Sequence, residues 1–284
     1  MKTFKESKWA LSILNLQKSD GSWGYFHTLS NPSSQNPLTT EQALRRLEIL
    51  GFTIEDAPIQ KAVSYMQDCL TGKNAIPDRR EKIHNWDIFT DLMLSTWIHR
   101  FTKSFEKALI TGEKWKHIIT QAFRNGIYDP KLYAETYKEI HQLPPKGGRL
   151  IDTANFYHVS LLSGFLDKST AQLFVEYVLQ HEKGIYYIYD RQLSVTPAIF
   201  QSKETVRYLS AIELLSAYKN SGCRKKLAFV SEWINNNKNN EGRWDLSAKS
   251  KDGIWFPLCD SWRNAENRIQ DCTYRINNLL QNLL

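Results

Sequence analysis

The segment Ile13-Leu14-Asn15-Leu16-Gln17-Lys18-Ser19-Asp20-Gly21-Ser22-Trp23 shares its frame with Ile234-Asn235-Asn236-Asn237-Lys238-Asn239-Asn240-Glu241-Gly242-Arg243-Trp244. Isoleucine, then Gln or Lys, then Gly, then Trp fall at the same offsets in both. Each segment closes a helix-length apolar stretch (Trp9 to Leu16, Phe229 to Ile234) with a polar turn. A glycine at a helix exit takes positive φ without Cβ strain. The tryptophan behind it can cover the helix end and set its N–H on a local acceptor.

Weaker copies lie between the two. Gly126-Ile127-Tyr128 and Gly184-Ile185-Tyr186 keep the Gly-x-aromatic shape, and Gly72 follows the apolar stretch Ala62 to Leu70. Glycines 21, 72, 126, 184 and 242 are thus spaced by 51, 54, 58 and 58 residues. A repeat of that length marks an array of supersecondary units, none of which buries its apolar face alone. Five units are expected, at about 4–52, 58–102, 113–166, 169–219 and 224–284, within one domain spanning 1–284.

In each unit a first amphipathic helix precedes a second, more apolar one. The second helices are predicted near 39–50, 85–101, 151–166, 202–218 and 268–283. They start on Thr39 or Thr40, Asn85, Asp152, Ser202 and Asp271, residue types that cap helices or suit the first turn. Leu44, Leu47 and Leu50 recur at helical spacing, as do Ile276, Leu279, Leu280 and Leu283. Only Gly184 to Tyr189 has the pattern of a short strand. The fold class is all-α.

The chain is 42% hydrophobic and 24% charged, a balance ordinary for a globular protein with its own core. No run approaches the ~18 apolar residues of a membrane span. Ala10 to Leu16 follows a basic start but is too short for a signal peptide and lacks a cleavage site, so a cytoplasmic location is expected. The four cysteines have no metal-type spacing and are expected to be reduced. The net charge of +7 is scattered, its densest run being Arg224-Lys225-Lys226, which reads as solvated helix ends and not as a nucleic-acid footprint. No P-loop, dinucleotide fingerprint, His-Glu-x-x-His or Gly-x-Ser-x-Gly occurs. No cofactor is expected.

The Gln17-x3-Gly21-x-Trp23 element, with following helices that open Thr39-Thr40-Glu41-Gln42-Ala43-Leu44 or Asp152-Thr153-Ala154, resembles the QW repeat of squalene and terpenoid cyclases. The β subunits of protein prenyltransferases share that architecture. Ser12 stands where the motif has an aromatic, and Lys238 replaces the glutamine in the last copy. The resemblance, which extends to bacterial relatives of these enzymes, implies an α/α toroid of five to six helical hairpins around a central cavity. It does not bring the catalytic residues with it. The Asp-x-Asp-Asp of cyclases is absent, and Asp271-Cys272 only approaches the Asp-x-Cys zinc pair of the transferases, with no later histidine. No metal is expected.

Three groups of residues could carry chemistry. On the helix near 85–101, Ile88, Phe89, Leu92, Met93 and Trp97 share one broad face, while Asp87 and Asp91 lie opposite with Ser95 close by. His84 and Trp86 stand at its start. These carboxylates could hold a cation or ammonium, or share a proton as catalytic acids. They could equally meet the helix dipole, water or an arginine. In the aromatic loop 251–267, Asp260, Trp262 and Arg263 could offer a bidentate clamp and a stacking face to a ligand. Alternatively, Arg263 pairs with Asp260 or Glu266 and Trp262 packs inward. Asp271 is a further ligand-contact candidate, although with Arg275 it reads as a solvated i, i+4 pair, as does Glu204 with Arg207. His158 reads as a hydrogen-bonded core histidine and Cys272 as a small buried hydrophobe.

The expected function is binding of an elongated, largely apolar, isoprenoid-like ligand in the central cavity. The rival is a non-catalytic scaffold that binds a peptide. A deep aromatic cavity would favour the first and a shallow charged one the second.

Overall fold

The computed structural model describes residues 4–27, Ser30, Ser33 and 37–284. Among them are eleven α-helices and no strand. The first unit holds α1 (Lys8–Leu14) and α2 (Thr40–Ile49), and the second holds α3 (Ala57–Leu70) and α4 (Trp86–Phe101). The third has α5 (Glu106–Ala122), α6 (Pro130–His141) and α7 (Phe156–Leu162). The fourth has α8 (Lys168–Gln180) and α9 (Lys203–Ser216), and the fifth α10 (Ser221–Asn235) and α11 (Ala265–Leu283). At Gly184 to Tyr189 the backbone makes isolated bridges, Ile185 with Tyr189 and Asn155 with Tyr186, instead of a strand.

The two motif copies fold alike. Trp23 Nε1 donates to the Ile13 carbonyl at 2.8 Å, and Trp244 Nε1 donates to the Ile234 carbonyl at 2.8 Å. Their backbone N–H groups reach across to a threonine hydroxyl on the second helix of the unit, Thr40 at 3.0 Å and Thr273 at 3.2 Å. Each tryptophan therefore closes one helix end and anchors the next helix. Gln17 donates to the Gly21 carbonyl and to Pro58 of α3, which ties the turn to the following unit. Lys238 keeps the position by lying over the Trp244 ring, 5.0 Å from its centre. Gly21 has φ of 92°, and a Cβ there would meet the Lys61 carbonyl oxygen at 2.4 Å, so both backbone and space require glycine.

Caps explain where the second helices begin. Thr39 and Gln42 form a reciprocal capping box, and Ser202 caps α9. Two expected starts are corrected. Asp152 accepts from the Ala154 N–H in a turn, and the cap of α7 is Asn155 three residues on, so that helix is shorter than predicted. The cap of α11 is Asn264, which places Asp271 inside the helix and 2% exposed. An additional helix, α6, enters the third unit under the cap Asp129 with Pro130 at its first position.

Contacts between units run in sequence. Helix α4 packs on α3, α5 and α7, α7 packs on α9, and α9 packs on α11. The first unit touches both the second unit and the last. Toward α4, Glu41 accepts from Trp97 Nε1 at 2.7 Å and Glu48 from Arg100 at 2.7 Å. Toward the last unit, Trp9 Nε1 donates to the Cys259 carbonyl at 2.9 Å and Arg46 donates to the carbonyls of Ile254 and Pro257. Phe4 meets Tyr274 edge-on at 5.6 Å. No helix among the described residues is long and apolar enough to cross a membrane.

Candidate functional site

The acidic stripe of α4 does not line an interior. Asp87 is 84% exposed and holds Arg80 at 2.6–2.7 Å in an exposed ion pair. Asp91 is half-buried, and burial pushes its carboxyl up against the pull of Lys107 and Lys114. Both border a shallow outer groove of about 260 Å³ with Trp86 and Cys69. His84 lies beside Phe89, with its Nδ1 buried and unpaired and burial lowering its pKa. Ser95 is fully buried, apart from the aspartates. The reason is that α4 is covered on several sides, so every residue from Leu92 to His99 is buried while its first turn emerges at the surface. The wheel separates two faces, and this helix changes environment along its length instead.

The aromatic loop before α11 is folded around carboxylates. Asp252 Oδ1 accepts from the N–H groups of Ile254, Trp255 and Phe256. Asp271 Oδ2 accepts from Leu258 N at 2.8 Å, Cys259 N at 3.0 Å and Trp262 Nε1 at 2.7 Å. Asp271 is therefore the loop's internal post. It does not pair with Arg275, which bonds Glu213 at 2.9 Å and Ser210 at 3.0 Å. Glu204 likewise bonds Arg191 and Tyr189 instead of Arg207. Trp262 packs inward at 8% exposure. Asp260 is exposed and accepts from the Lys8 backbone N–H at 2.7 Å. Arg263 projects at the surface, and Glu266 is taken by Arg243. The expected clamp is thus a latch between the last unit and the first.

His158 is buried in the core, where Asn155 donates to its Nδ1 at 2.8 Å and Trp115 stands at right angles 4.4 Å away. Burial pulls it down to about 3. Cys272 is fully buried. Among the described residues no group of three or more His, Cys, Asp or Glu is placed to hold a metal ion.

Two hollows remain. The inner one, about 160 Å³, lies between α2, α4, α7 and α9, and its walls include Arg45, Glu48, Arg100, Ser160 and Glu213. It is small and charged, not a deep aromatic chamber. The larger one, about 560 Å³, is a groove between the end of α5 and the face of α8, with Phe123, Ile127, Tyr128, Leu173 and Tyr177 as its apolar walls. Its rings form one cluster: Phe123 is 5.7 Å from Tyr177 and 5.6 Å from Tyr128, and Tyr128 is 4.7 Å from Tyr177. Ile127, at the tip of the Gly126 turn, is 73% exposed. At one end His181 faces Asp152 at 3.4 Å, and Lys226 holds Glu176 on α8 at 2.6 Å. Burial raises Tyr177 to about 12, so its phenol stays neutral.

Sequence reading missed this groove, although two of its signals were present. Gly126-Ile127-Tyr128 was visible as a weak motif copy, with an isoleucine at a turn tip where solvent is the default. The facing residues, Leu173 and Tyr177, stand one turn apart on α8. Comparison of the chain with protein-family models, with curated proteins and with solved structures gives no match.

Proposed function

We propose that this chain is a binding protein, an α/α toroid of the cyclase and prenyltransferase type, whose ligand is elongated, largely apolar and isoprenoid-like. The ligand sits in the Phe123–Tyr177 groove and not in the ring's centre. The observation that carries this reading is the groove itself, an apolar hollow of about 560 Å³. That volume lies within the range of small-molecule sites, and a few polar groups at one end of an apolar trough are their usual construction. The exposed Ile127 at the lip offers apolar area that a ligand would remove from water, and Asp152 with His181 gives a hydroxyl or other polar head a place to bond. A catalytic-acid role loses support at Asp87, which is engaged with Arg80 in solvent where nothing keeps a carboxylic acid protonated. Asp91 is pushed up by burial but borders the shallow outer groove, not an enclosed cavity.

The peptide-binding alternative draws on the charged inner walls. Those charges are mostly spent on each other, Arg100 on Glu48 and Arg275 on Glu213, and 160 Å³ does not admit a peptide backbone with side chains. The test is calorimetric titration of farnesol into the purified protein, the Leu173→Asp variant and the Tyr177→Ala variant. Saturable binding to the parent, weakened at least tenfold in both variants with unchanged far-ultraviolet spectra, supports the groove. Absence of binding to the parent, or equal binding by all three, refutes it.

A further inference from the structure

The inner hollow contains one cation whose donors have no acceptor. Arg45 on α2 is 8% exposed, and its Nε–H is buried with no hydrogen-bond partner among the described residues. Its guanidinium lies 4.7 Å from the centre of the Phe156 ring and 6.0 Å from that of Trp97. Such stacking orients the fork but satisfies none of its N–H groups. The other arginines of this region are occupied. Arg100 forks onto Glu48 at 2.7–3.1 Å and donates to Ser160 at 2.6 Å, and Arg275 bonds Glu213 and Ser210. Glu41, one turn before Arg45, receives Trp97 Nε1 at 2.7 Å and the Tyr157 hydroxyl at 2.8 Å. Its charge opposes the effect of burial, which lowers the Arg45 pKa, but it is not among the hydrogen-bond partners of Arg45. A buried guanidinium with empty donors is costly, and a ligand acceptor would relieve that cost.

We propose that this hollow binds a small carboxylic acid with a compact apolar body, its carboxylate bridging the Arg45 guanidinium and the Ser160 hydroxyl. Ser160 accepts from Arg100 and makes no other side-chain bond, so its own O–H is available to donate. Ser210 and Ser163 are not available, since their hydroxyls donate to the carbonyls of Val206 and Ser160. Beside the paired charges of Glu48, Arg100 and Glu213, the wall offers apolar surface from Ile49, Phe156, Ile188, Leu214 and Trp255. A hollow of about 160 Å³ matches the size of an engineered cavity, about 150 Å³, that takes benzene. One guanidinium with an unused buried N–H, already facing the Glu41 charge, matches a single carboxylate head better than a phosphate dianion. The site is separate from the Phe123–Tyr177 groove, so either stands if the other fails.

Benzoate is the probe. In calorimetric titrations at pH 7, the protein should bind benzoate at least tenfold more tightly than benzyl alcohol, which has the same ring without the charge, and more tightly than inorganic phosphate. This comparison needs no variant. The Arg45→Gln variant should lose at least tenfold in benzoate affinity. So should Leu214→Trp, which fills the hollow without touching the charge, each judged at a parent-like circular dichroism spectrum. The proposal is overturned if benzoate fails to saturate, if benzyl alcohol or phosphate binds as well, or if Arg45→Gln binds benzoate unchanged. It is equally overturned if a hexapeptide with a free C-terminus binds where benzoate does not.

Discussion

Replacing Asp271 by alanine should uncouple the last unit from the first. One carboxylate oxygen receives three N–H donors, at 2.7, 2.8 and 3.0 Å, and the residue is 2% exposed. Two of those donors are themselves buried, on Leu258 at 1% and Trp262 at 8% exposure, whereas Cys259 is partly open to water. A buried donor that loses its acceptor costs about 1–3 kcal/mol, and water recovers most of the third. Removing the aspartate also returns the cost of having desolvated its charge. The net expectation for Asp271→Ala is about 3 kcal/mol of lost stability. Asp271→Asn keeps one oxygen in place and loses only the charge, so it should cost about half as much, in keeping with the added strength of hydrogen bonds to ionised groups.

The assay is equilibrium urea unfolding combined with hydrogen exchange at the Leu258 and Cys259 amides. Because Cys259 and Pro257 hand their carbonyls to Trp9 and Arg46, loosening this loop should also shift the fluorescence of the half-buried Trp9. If Asp271→Ala unfolds within 0.5 kcal/mol of the parent and both amides remain protected, the view of Asp271 as the loop's post is wrong; ~0.5 kcal/mol is the usual reach of a neutral surface substitution.

Two other outcomes can be measured with the same tools. Trp23→Ala and Trp244→Ala should each lose about 3–5 kcal/mol, since each ring is 2% exposed and closes the helix end ten residues back. A difference of more than ~2 kcal/mol between them would mean that the two copies are not energetically equivalent. Histidine burial sets the acid limb. His158 is held near 3 and His99 and His141 near 4, all below the 6.5 of the unfolded chain. The native protein therefore binds fewer protons, and stability falls as pH drops from about 6.5 toward 4, by about 1.4 kcal/mol per pH unit for each proton taken up on unfolding. In His158→Gln that slope should diminish by one proton's worth, and an unchanged slope would remove His158 from the acid limb.

What the sequence disclosed and what it withheld differ in a physical way. The repeat was readable because the turn at Gly21 and the bond from Trp23 to Ile13 depend on residues at most ten positions away, although Gly21 also packs against Lys61 of the next unit. Even the substitution of Gln17's counterpart by Lys238 preserves a local role, over the Trp244 ring. The candidate sites were less readable because their partners lie far along the chain. Arg275 at i+4 from Asp271 satisfies a helix rule, yet it pairs with Glu213, 62 positions away, because Asp271 is pulled under the loop it supports. Ser95 follows Asp87 and Asp91 on the wheel but is buried, since α4 passes from the surface into the packing of α3, α5 and α7. A wheel describes directions around a helix and is silent about depth along it. Arg45 makes the same point in reverse. As an ordinary basic residue on a helix with Arg46 beside it, it carries no motif, and only the fold places it against the Phe156 ring with Glu48 and Glu213 already taken by Arg100 and Arg275. Packing between successive units makes such positions recur, because a buried helix faces others that no local pattern identifies. On the proposed reading, binding specificity is carried by the residues least marked in the chain, by unpaired buried donors and not by the repeat that builds the frame.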